Sequence, residues 1–234
     1  MTNILGQLDK VVKNEKKKKA QPKQKGKVGE TYFAEKLSEI SGHHFHRIYS
    51  SGASVGKSNN TLLEELTNGQ AQAHIGDIHS PEDFTHYFIW ESKNYADLDF
   101  HNLLNPKFSK QVSGWIDELE YDLQSAFTLL KDNYRTIAGF LCIKITRKGS
   151  WIVGNKKYIQ EIFFKDEEMK CESILYFNKD CNEVLKEFGF GNEYFMTDFE
   201  TFIKLNKDKL FVVDEDRLER IKKAKEILGK MIRK

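Results

Sequence analysis

The sequence predicts an α/β fold, with one core of about 120 residues and a C-terminal α/β extension. Three observations predict it. The chain of 234 residues is long enough to bury a substantial core. Its hydrophobic content of 39% and its charged content of 31% are typical of a protein folded in water. Helical and strand-like patterns of apolar residues also alternate along the chain, as they do in α/β proteins.

Six segments of the core have a readable pattern of apolar residues. Helices are recognised by apolar side chains three or four residues apart, and strands by alternation or by a short continuous apolar run. A turn at Ser80-Pro81-Glu82-Asp83 separates two adjacent strands. The segments are a helix at 28–41, an extended piece at 44–49, strands at 73–79 and 84–93, a helix at 108–130 and a buried strand at 137–145.

The part of the chain after the core is less regular. Strand-like pieces occur at 151–153 and 174–177. Thr197, followed by Glu200 three residues later, predicts the N-terminus of a helix, because the two side chains can satisfy free backbone N–H groups reciprocally. A final amphipathic helix is predicted at 214–232.

The basic charge of the chain is concentrated at its N-terminus. The formal net charge is only +2, but residues 1–27 contain nine lysines against Asp9 and Glu15. The remainder of the chain is therefore acidic overall. A flexible basic arm attracts phosphate backbones without regard to sequence, and a merely solubilising tail is the alternative interpretation.

We therefore expect three parts: a basic flexible N-terminal arm, 1–24, a core, 25–145, and a C-terminal extension or small accessory domain, 146–234. No apolar run approaches the ~20 residues that cross a bilayer, and the N-terminus lacks the apolar stretch of a secretory signal. We expect a cytoplasmic protein. Its three cysteines and seven histidines do not have the paired spacing of a zinc site.

The informative motif is Gly76-Asp77-Ile78, followed after the turn by Glu91-Ser92-Lys93. Alternate residues of a strand share a face, so Glu91 and Lys93 point the same way and the partner strand brings Asp77 alongside. Two converging carboxylates repel each other unless a hard divalent cation lies between them. A lysine beside that cation can orient or help deprotonate a water, which suits phosphodiester hydrolysis. Structural salt bridges and turn formation are the competing interpretation.

Glu30 adds a third carboxylate. In helical projection it lies within the apolar stripe formed by Phe33, Ala34, Leu37 and Ile40. A carboxylate that faces a core needs a partner, because burying its charge alone would cost several kcal/mol. A metal-centred cluster with the other two acids would supply that partner, and so would a plain salt bridge to an arginine or lysine.

In this order, the residues resemble the PD-(D/E)xK nuclease superfamily and, within it, the archaeal-type Holliday junction resolvases. The resemblance covers roughly residues 25–130, and it is carried by the ordered set rather than by any single piece. The matching pieces are Lys25-Gly26-Lys27-Val28-Gly29-Glu30, which resembles the opening Lys-Gly-x-x-x-Glu of the family, then Arg47, Ser51-Gly52, Gly76-Asp77-Ile78, Glu91-Ser92-Lys93 and Gln111.

The resemblance implies a restriction-endonuclease-like core, a mixed sheet flanked by helices, and a definite set of catalytic roles. Asp77 and Glu91, with the backbone carbonyl of Ser92, would bind Mg²⁺, for which Mn²⁺ would substitute. Glu30 would complete the acidic site, and Lys93 would act on the attacking water.

The resemblance also implies how DNA is bound. Arg47 and the Ser51-Gly52 loop would contact the DNA backbone near the scissile phosphate, with Lys25 and Gln111 as further DNA-binding residues. Resolvases of this kind work as two-fold homodimers that nick a four-way junction symmetrically in DNA recombination and repair. The chain departs from them in the long segment between Gly52 and Asp77 and in its last hundred or so residues, which have no counterpart there.

Three other functions stay open. The chain could be a PD-(D/E)xK endonuclease of the restriction or repair type. It could be a non-catalytic DNA-binding protein in which the arm binds DNA and the carboxylates form salt bridges. The segment 51–58 also nearly spells a phosphate-binding P-loop, which would indicate a nucleotide hydrolase, but its first glycine is missing.

Overall fold

The computed structural model describes residues 22–48, 75–98, 102–103, 109–129, 136–165 and 167–232. These residues form a seven-stranded sheet with helices packed on both faces. The strands are β1 (His46–Arg47), β2 (Ile78–His79), β3 (His86–Tyr95), β4 (Thr136–Ile145), β5 (Gly149–Asn155), β6 (Ile174–Asn178) and β7 (Glu193–Asp198). The helices are α1 (Pro22–Ser41), α2 (Lys110–Leu129), α3 (Lys156–Ile159), which continues into a π-helical turn (Gln160–Phe164), α4 (Glu183–Glu187), α5 (Phe199–Leu210) and α6 (Glu215–Ile232).

The sheet is mixed, with the strand order β1-β2-β3-β4-β5-β7-β6. Only β3 and β4 pair in parallel, and α2 connects them; the other neighbours are antiparallel. Parallel neighbours need such a crossover, and β3 and β4 are buried over most of their length because helices cover both faces of the sheet. The predicted α/β fold with a mixed sheet is confirmed.

One face of the sheet carries α2 at close range. Gly139 of β4 allows this approach, since a Cβ at that position would lie 2.8 Å from Cδ1 of Leu123 on α2. The helix can therefore lie deeper on the sheet than any larger residue would permit.

The opposite face is an aromatic core under α1 and α5. Trp90 stacks between Phe88 and Phe140, with ring centroids 5.3 and 5.2 Å away. Above them Phe33 of α1 meets Phe199 of α5 edge to face at 4.8 Å. Aromatic pairs of this kind bury large apolar areas and hold the central strands rigid beneath the two helices.

The C-terminal strands extend the sheet of the core instead of forming a separate one. β5 pairs with β4, and β7 and β6 follow beyond it. The chain also returns to the start of β3, where the N–H of Thr85 donates to the carbonyl of Val212 at 2.8 Å. Residues on both sides of position 146 thus share one sheet.

Several element boundaries differ from the sequence expectations. α1 begins at Pro22 rather than at residue 28, since proline is tolerated in the first turn of a helix. Thr197 is not the cap of α5: it belongs to β7, and Asp198 caps the helix by accepting the N–H of Thr201 at 2.9 Å. Within the described ranges, every helix is too short or too polar to cross a bilayer.

Candidate active site

The turn before β2 places Asp77 against the middle of β3. The backbone N–H of Asp77 donates to the carbonyl of Trp90 at 2.8 Å, and its carbonyl accepts the N–H of Ile48 at 2.9 Å. Gly76 has φ +82, and a Cβ there would lie 3.3 Å from the backbone of Trp90. Any other residue would be strained here by both the backbone conformation and the close approach, which favours glycine.

Asp77, Glu91 and Lys93 lie together on this part of the sheet. The backbone N–H of Ser92 donates to Oδ2 of Asp77 at 2.8 Å, which ties the aspartate to β3. Lys93 Nζ donates to Oε1 of Glu91 at 2.6 Å, as expected for two residues on one face of a strand. Lys93 also donates to the carboxylate of Glu118 on α2, so this cluster lies between the sheet and α2.

Glu30 approaches the cluster from α1. Its Oε2 pairs with Nη1 of Arg47 at 3.2 Å, so the salt-bridge partner that the sequence left open is present. Burial raises the pKa of Glu30, and the negative charge of Asp77 raises it further, while Arg47 opposes both effects. The carboxylate of Glu30 thus lies close enough to Asp77 to be repelled by it.

A close contact between α1 and β3 sets the position of Glu30. A Cβ on Gly29 would lie 2.8 Å from Cβ of Asn94 and 3.3 Å from Oγ of Ser92. The side chain of Asn94 donates to the carbonyl of Lys25 at 2.8 Å, which fixes the first turns of α1 on the same strand. The resemblance implied DNA contact by Lys25, whose side chain is exposed.

Burial and electrostatic repulsion disfavour the charged forms of two acids in this cluster. Burial, followed by repulsion from Asp77, raises the pKa of Glu91 to about 8, although Lys93 opposes this. Burial and repulsion from Asp77 likewise raise the pKa of Asp122 to about 7. Burial disfavours the ammonium of Lys93, but attraction to Glu91 and hydrogen bonds to Glu118 and Glu91 outweigh it and raise its pKa. Lys93 is therefore a cation at neutral pH.

Two residues near the cluster, Glu118 and Asp122, were not among the candidates from the sequence. Glu118 contacts Lys93, and Asp122 accepts a hydrogen bond from the backbone of Gly76. Both lie at the border of the apolar stripe of α2, next to Trp115 in helical projection. A helical projection of α2 places both residues outside the apolar stripe, but it gives no sign of the strand and turn that they face.

The remaining predicted residues lie in different places. Gln111 is half-buried in the first turn of α2. Ser92 turns its side chain to the other face of β3, where its Oγ is buried without a hydrogen-bond partner. Ser51 and Gly52, together with the whole 51–58 segment, lie outside the described residues.

The donor set suits a hard divalent cation, because carboxylate and carbonyl oxygens are the ligands that Mg²⁺ and Mn²⁺ prefer. In the part of the chain that the structure describes, however, no group of three or more His, Cys, Asp or Glu side chains is arranged to hold a metal ion. The carboxylates are instead held by protein partners: Glu30 by Arg47, Glu91 by Lys93 and Asp77 by the Ser92 N–H. Two of these acids and a main-chain carbonyl could bind a cation without a third acidic side chain.

A comparison with known protein families gives one result. A family model described as "Phage putative PDDEXK endonuclease" matches residues 21–212. Neither the curated proteins nor the solved structures contain a match to the chain. The matched range extends from α1 through α5 and includes the acidic cluster and its lysine. It supports the PD-(D/E)xK superfamily and the restriction-endonuclease-like fold, whereas the resemblance to Holliday junction resolvases stays a prediction. The chain therefore belongs to this phage family of PD-(D/E)xK endonucleases.

Proposed function

We propose that this chain is a divalent-metal-dependent DNA endonuclease that hydrolyses phosphodiester bonds. Asp77, Glu91 and the backbone carbonyl of Ser92 hold the cation, and Glu30 completes the acidic site. Mg²⁺ is the expected ion, with Mn²⁺ as a substitute. One observation carries the proposal: Asp77 is bonded to the backbone of the strand that bears Glu91, and the ammonium of Lys93 lies 2.6 Å from that glutamate.

The charge of the cluster supports a cation. A site that must accept a phosphodiester cannot present several uncompensated carboxylates to it, because like charges repel in a partly desolvated site. Burial, and after it repulsion from Asp77, raises the pKa values of Glu30, Glu91 and Asp122, so the charged forms of these groups are disfavoured in the protein alone. A bound divalent cation would relieve that repulsion and supply Lewis-acid activation of the phosphate and of water.

Lys93 acts as a cation rather than as a base. Its raised pKa keeps it protonated, so it can donate hydrogen bonds to the attacking water or to the phosphate, but it has no lone pair with which to take a proton. Its contact with Glu118 holds the ammonium at the edge of the cluster. The negative charge that develops on the phosphate in the transition state is then stabilised by a fixed donor.

Arg47 and the N-terminal lysines provide the contacts to DNA. Arg47 is paired with Glu30 beside the cluster, where its guanidinium can reach a phosphate next to the scissile one. The nine lysines of residues 1–27 add a sequence-independent attraction that weakens as salt is raised.

Cleavage of supercoiled plasmid in Mg²⁺, in Mn²⁺ and in a chelator tests the proposal. We expect nicking that needs the cation, and loss of nicking with retained DNA binding in Glu91→Ala. The matched control is Glu187→Ala, which removes an exposed glutamate from α4. Unchanged cleavage by Glu91→Ala, or equal cleavage by the wild type in the chelator, would contradict the assignment.

We further propose a preference for four-way junctions and a two-fold homodimer, both supported by the resemblance of residues 25–130 to resolvases. A panel of four-way, forked, flapped and linear DNA at equal concentration tests the preference. Symmetric paired nicks in the junction are the expected result. Equal cleavage of all four substrates, or a monomer by light scattering with and without junction DNA, would favour an endonuclease of the restriction or repair type.

A further inference from the structure

The side of α2 that faces the cluster carries a line of polar residues. Gln111, Glu118 and Asp122 lie within about 40° of one another in helical projection. Glu118 contacts Lys93 directly, which establishes that this line faces the cluster. The helix that connects β3 and β4 therefore brings functional groups to the site as well as covering the sheet.

The close packing of α2 determines how near Asp122 comes. Leu123, the next residue, is buried against Gly139, where even a methyl group would clash at 2.8 Å. Because α2 lies so close to the sheet, the side chain of Asp122 is half-buried. Its carboxylate interacts electrostatically with Asp77, Glu91 and Lys93. A residue on an exposed helix face would have no such effect, because water would screen it.

Asp122 also has a direct connection to the turn that presents Asp77. Its carboxylate accepts a hydrogen bond from the backbone of Gly76, the residue immediately before Asp77. Gly76 has a positive φ. The next residue, Asp77, is held on β3 by the hydrogen bond from its backbone N–H to the carbonyl of Trp90. The bond to Asp122 thus restrains the turn from the side of α2.

We propose that Asp122 is a positioning residue of the active site, which orients Asp77 through the Gly76 backbone and contributes negative charge that strengthens binding of the catalytic cation. This inference rests on the proposed metal-dependent function and adds a residue to it. Substituting a residue that is hydrogen-bonded to a metal ligand and orients it commonly weakens metal binding by about 10–100-fold.

Two substitutions separate the hydrogen bond from the charge. Asp122→Asn keeps an oxygen that can accept the Gly76 N–H and removes only the charge, whereas Asp122→Ala removes both. Mn²⁺ binding to the full chain, measured by the electron paramagnetic resonance signal of free Mn²⁺, is read without DNA and without catalysis. We expect binding about tenfold weaker in Asp122→Asn and weaker still in Asp122→Ala. Asp208→Asn, an exposed aspartate on α5, is the matched control and should bind as the wild type does.

The thermal unfolding of the metal-free variants distinguishes this role from a structural one. We expect Asp122→Asn to unfold at the same temperature as the wild type or higher, because it removes a carboxylate that Asp77 repels. A lower Tm with unchanged Mn²⁺ affinity would show a purely structural residue and overturn the inference.

The reference variant is Asp77→Asn, which should lose Mn²⁺ binding. If it does so while Asp122→Asn binds as the wild type, this inference fails and the proposed function stands. If the wild type itself binds no Mn²⁺, both this inference and the proposed metal-dependent function fail.

Discussion

The two borders of α2 carry acidic residues in very different surroundings. On one border, Glu118 and Asp122 face the cluster around Asp77, where carboxylates repel one another. On the other border, Glu120 faces the C-terminal part of the sheet. Its Oε1 accepts Lys179 Nζ at 3.0 Å and the hydroxyl of Tyr194, and its Oε2 accepts the backbone N–H of Asn182 at 3.2 Å.

The difference distinguishes a structural use of buried charge from a functional one. Glu120 and Lys179 each have only 6% of the side chain exposed, and both oxygens of the glutamate are occupied by donors. Such a network holds two parts of a fold together. On the other border, burial and repulsion from Asp77 raise the pKa values of Glu91 and Asp122, so their charged forms are costly for the protein alone and would be favoured by the cation that we propose.

Among the substitutions we consider, Asp77→Asn should have the largest effect. It should reduce activity without reducing stability. We expect cleavage to fall roughly a thousandfold, since a cation supplies several kcal/mol of transition-state stabilisation, while the Tm of the metal-free protein does not fall. Initial nicking rates and calorimetry measure the two quantities. Asp117→Asn, on the opposite border and 3.0 Å from Lys179, should keep full activity. A large drop in Tm for Asp77→Asn with little loss of activity would reverse the roles assigned to the two borders.

Lys179→Met should give the largest loss of stability. It leaves Glu120 buried without its cation, and breaking a buried ion pair costs about 3–5 kcal/mol. Denaturant titration measures the free energy of unfolding. The double variant Lys179→Met/Glu120→Gln should recover more than half of the loss, because the amide still accepts from Tyr194 without leaving a charge behind. An unaltered free energy of unfolding in the single variant would be incompatible with a structural network.

Gly29→Ala should have an intermediate effect, and it should change both activity and stability. Its methyl group would overlap Asn94, and overpacking of this kind costs about 1–3 kcal/mol. Because Glu30 follows directly, we expect reduced cleavage together with a lower Tm. Gly114→Ala is the matched control: its methyl group meets nothing within 4 Å, and alanine should stabilise α2 by about 1 kcal/mol. A Tm for Gly29→Ala at or above that of the wild type would argue against the close packing of α1.

The smallest expected effect is the pH dependence of the stability of Glu91→Gln. A carboxyl whose pKa is raised by folding destabilises the fold progressively as pH rises from its ordinary value of 4.5 to about 8. Glutamine has no such cost. In the metal-free state, we therefore expect the Tm of the variant to rise relative to the wild type by a few degrees between pH 5 and pH 8.5. A difference in Tm between the variant and the wild type that stays constant or narrows over this pH range would contradict the raised pKa of Glu91.

Much of the fold and part of the site follow from local patterns. The run 137–145 and the helical stripe before it predict a helix followed by a buried strand, since a continuous apolar run fits a strand covered on both faces. The alternation of Glu91 and Lys93, and the turn that brings Asp77 to the same strand, are also local properties. These need no knowledge of distant contacts.

The features that the sequence did not predict depend on non-local packing. The place of β6 at the outer edge, beyond β7, depends on pairings between segments far apart in the chain. Asp122 reaches the cluster only because Gly139 lets α2 approach the sheet closely, and the glycine alone gives no sign of which helix will use the space. Asp198 rather than Thr197 caps α5 because β7 continues one residue further than the capping pattern suggests.

The most direct test of the cation centre is a crystal of the full chain soaked in Mn²⁺, with anomalous diffraction recorded at the manganese absorption edge. We expect one dominant anomalous peak within coordination distance of the carboxylates of Asp77 and Glu91 and of the carbonyl of Ser92. The same soak of Asp77→Asn crystals should show no peak there. A wild-type map without a peak between Asp77 and Glu91, from crystals that cleave DNA in Mn²⁺, would contradict the account.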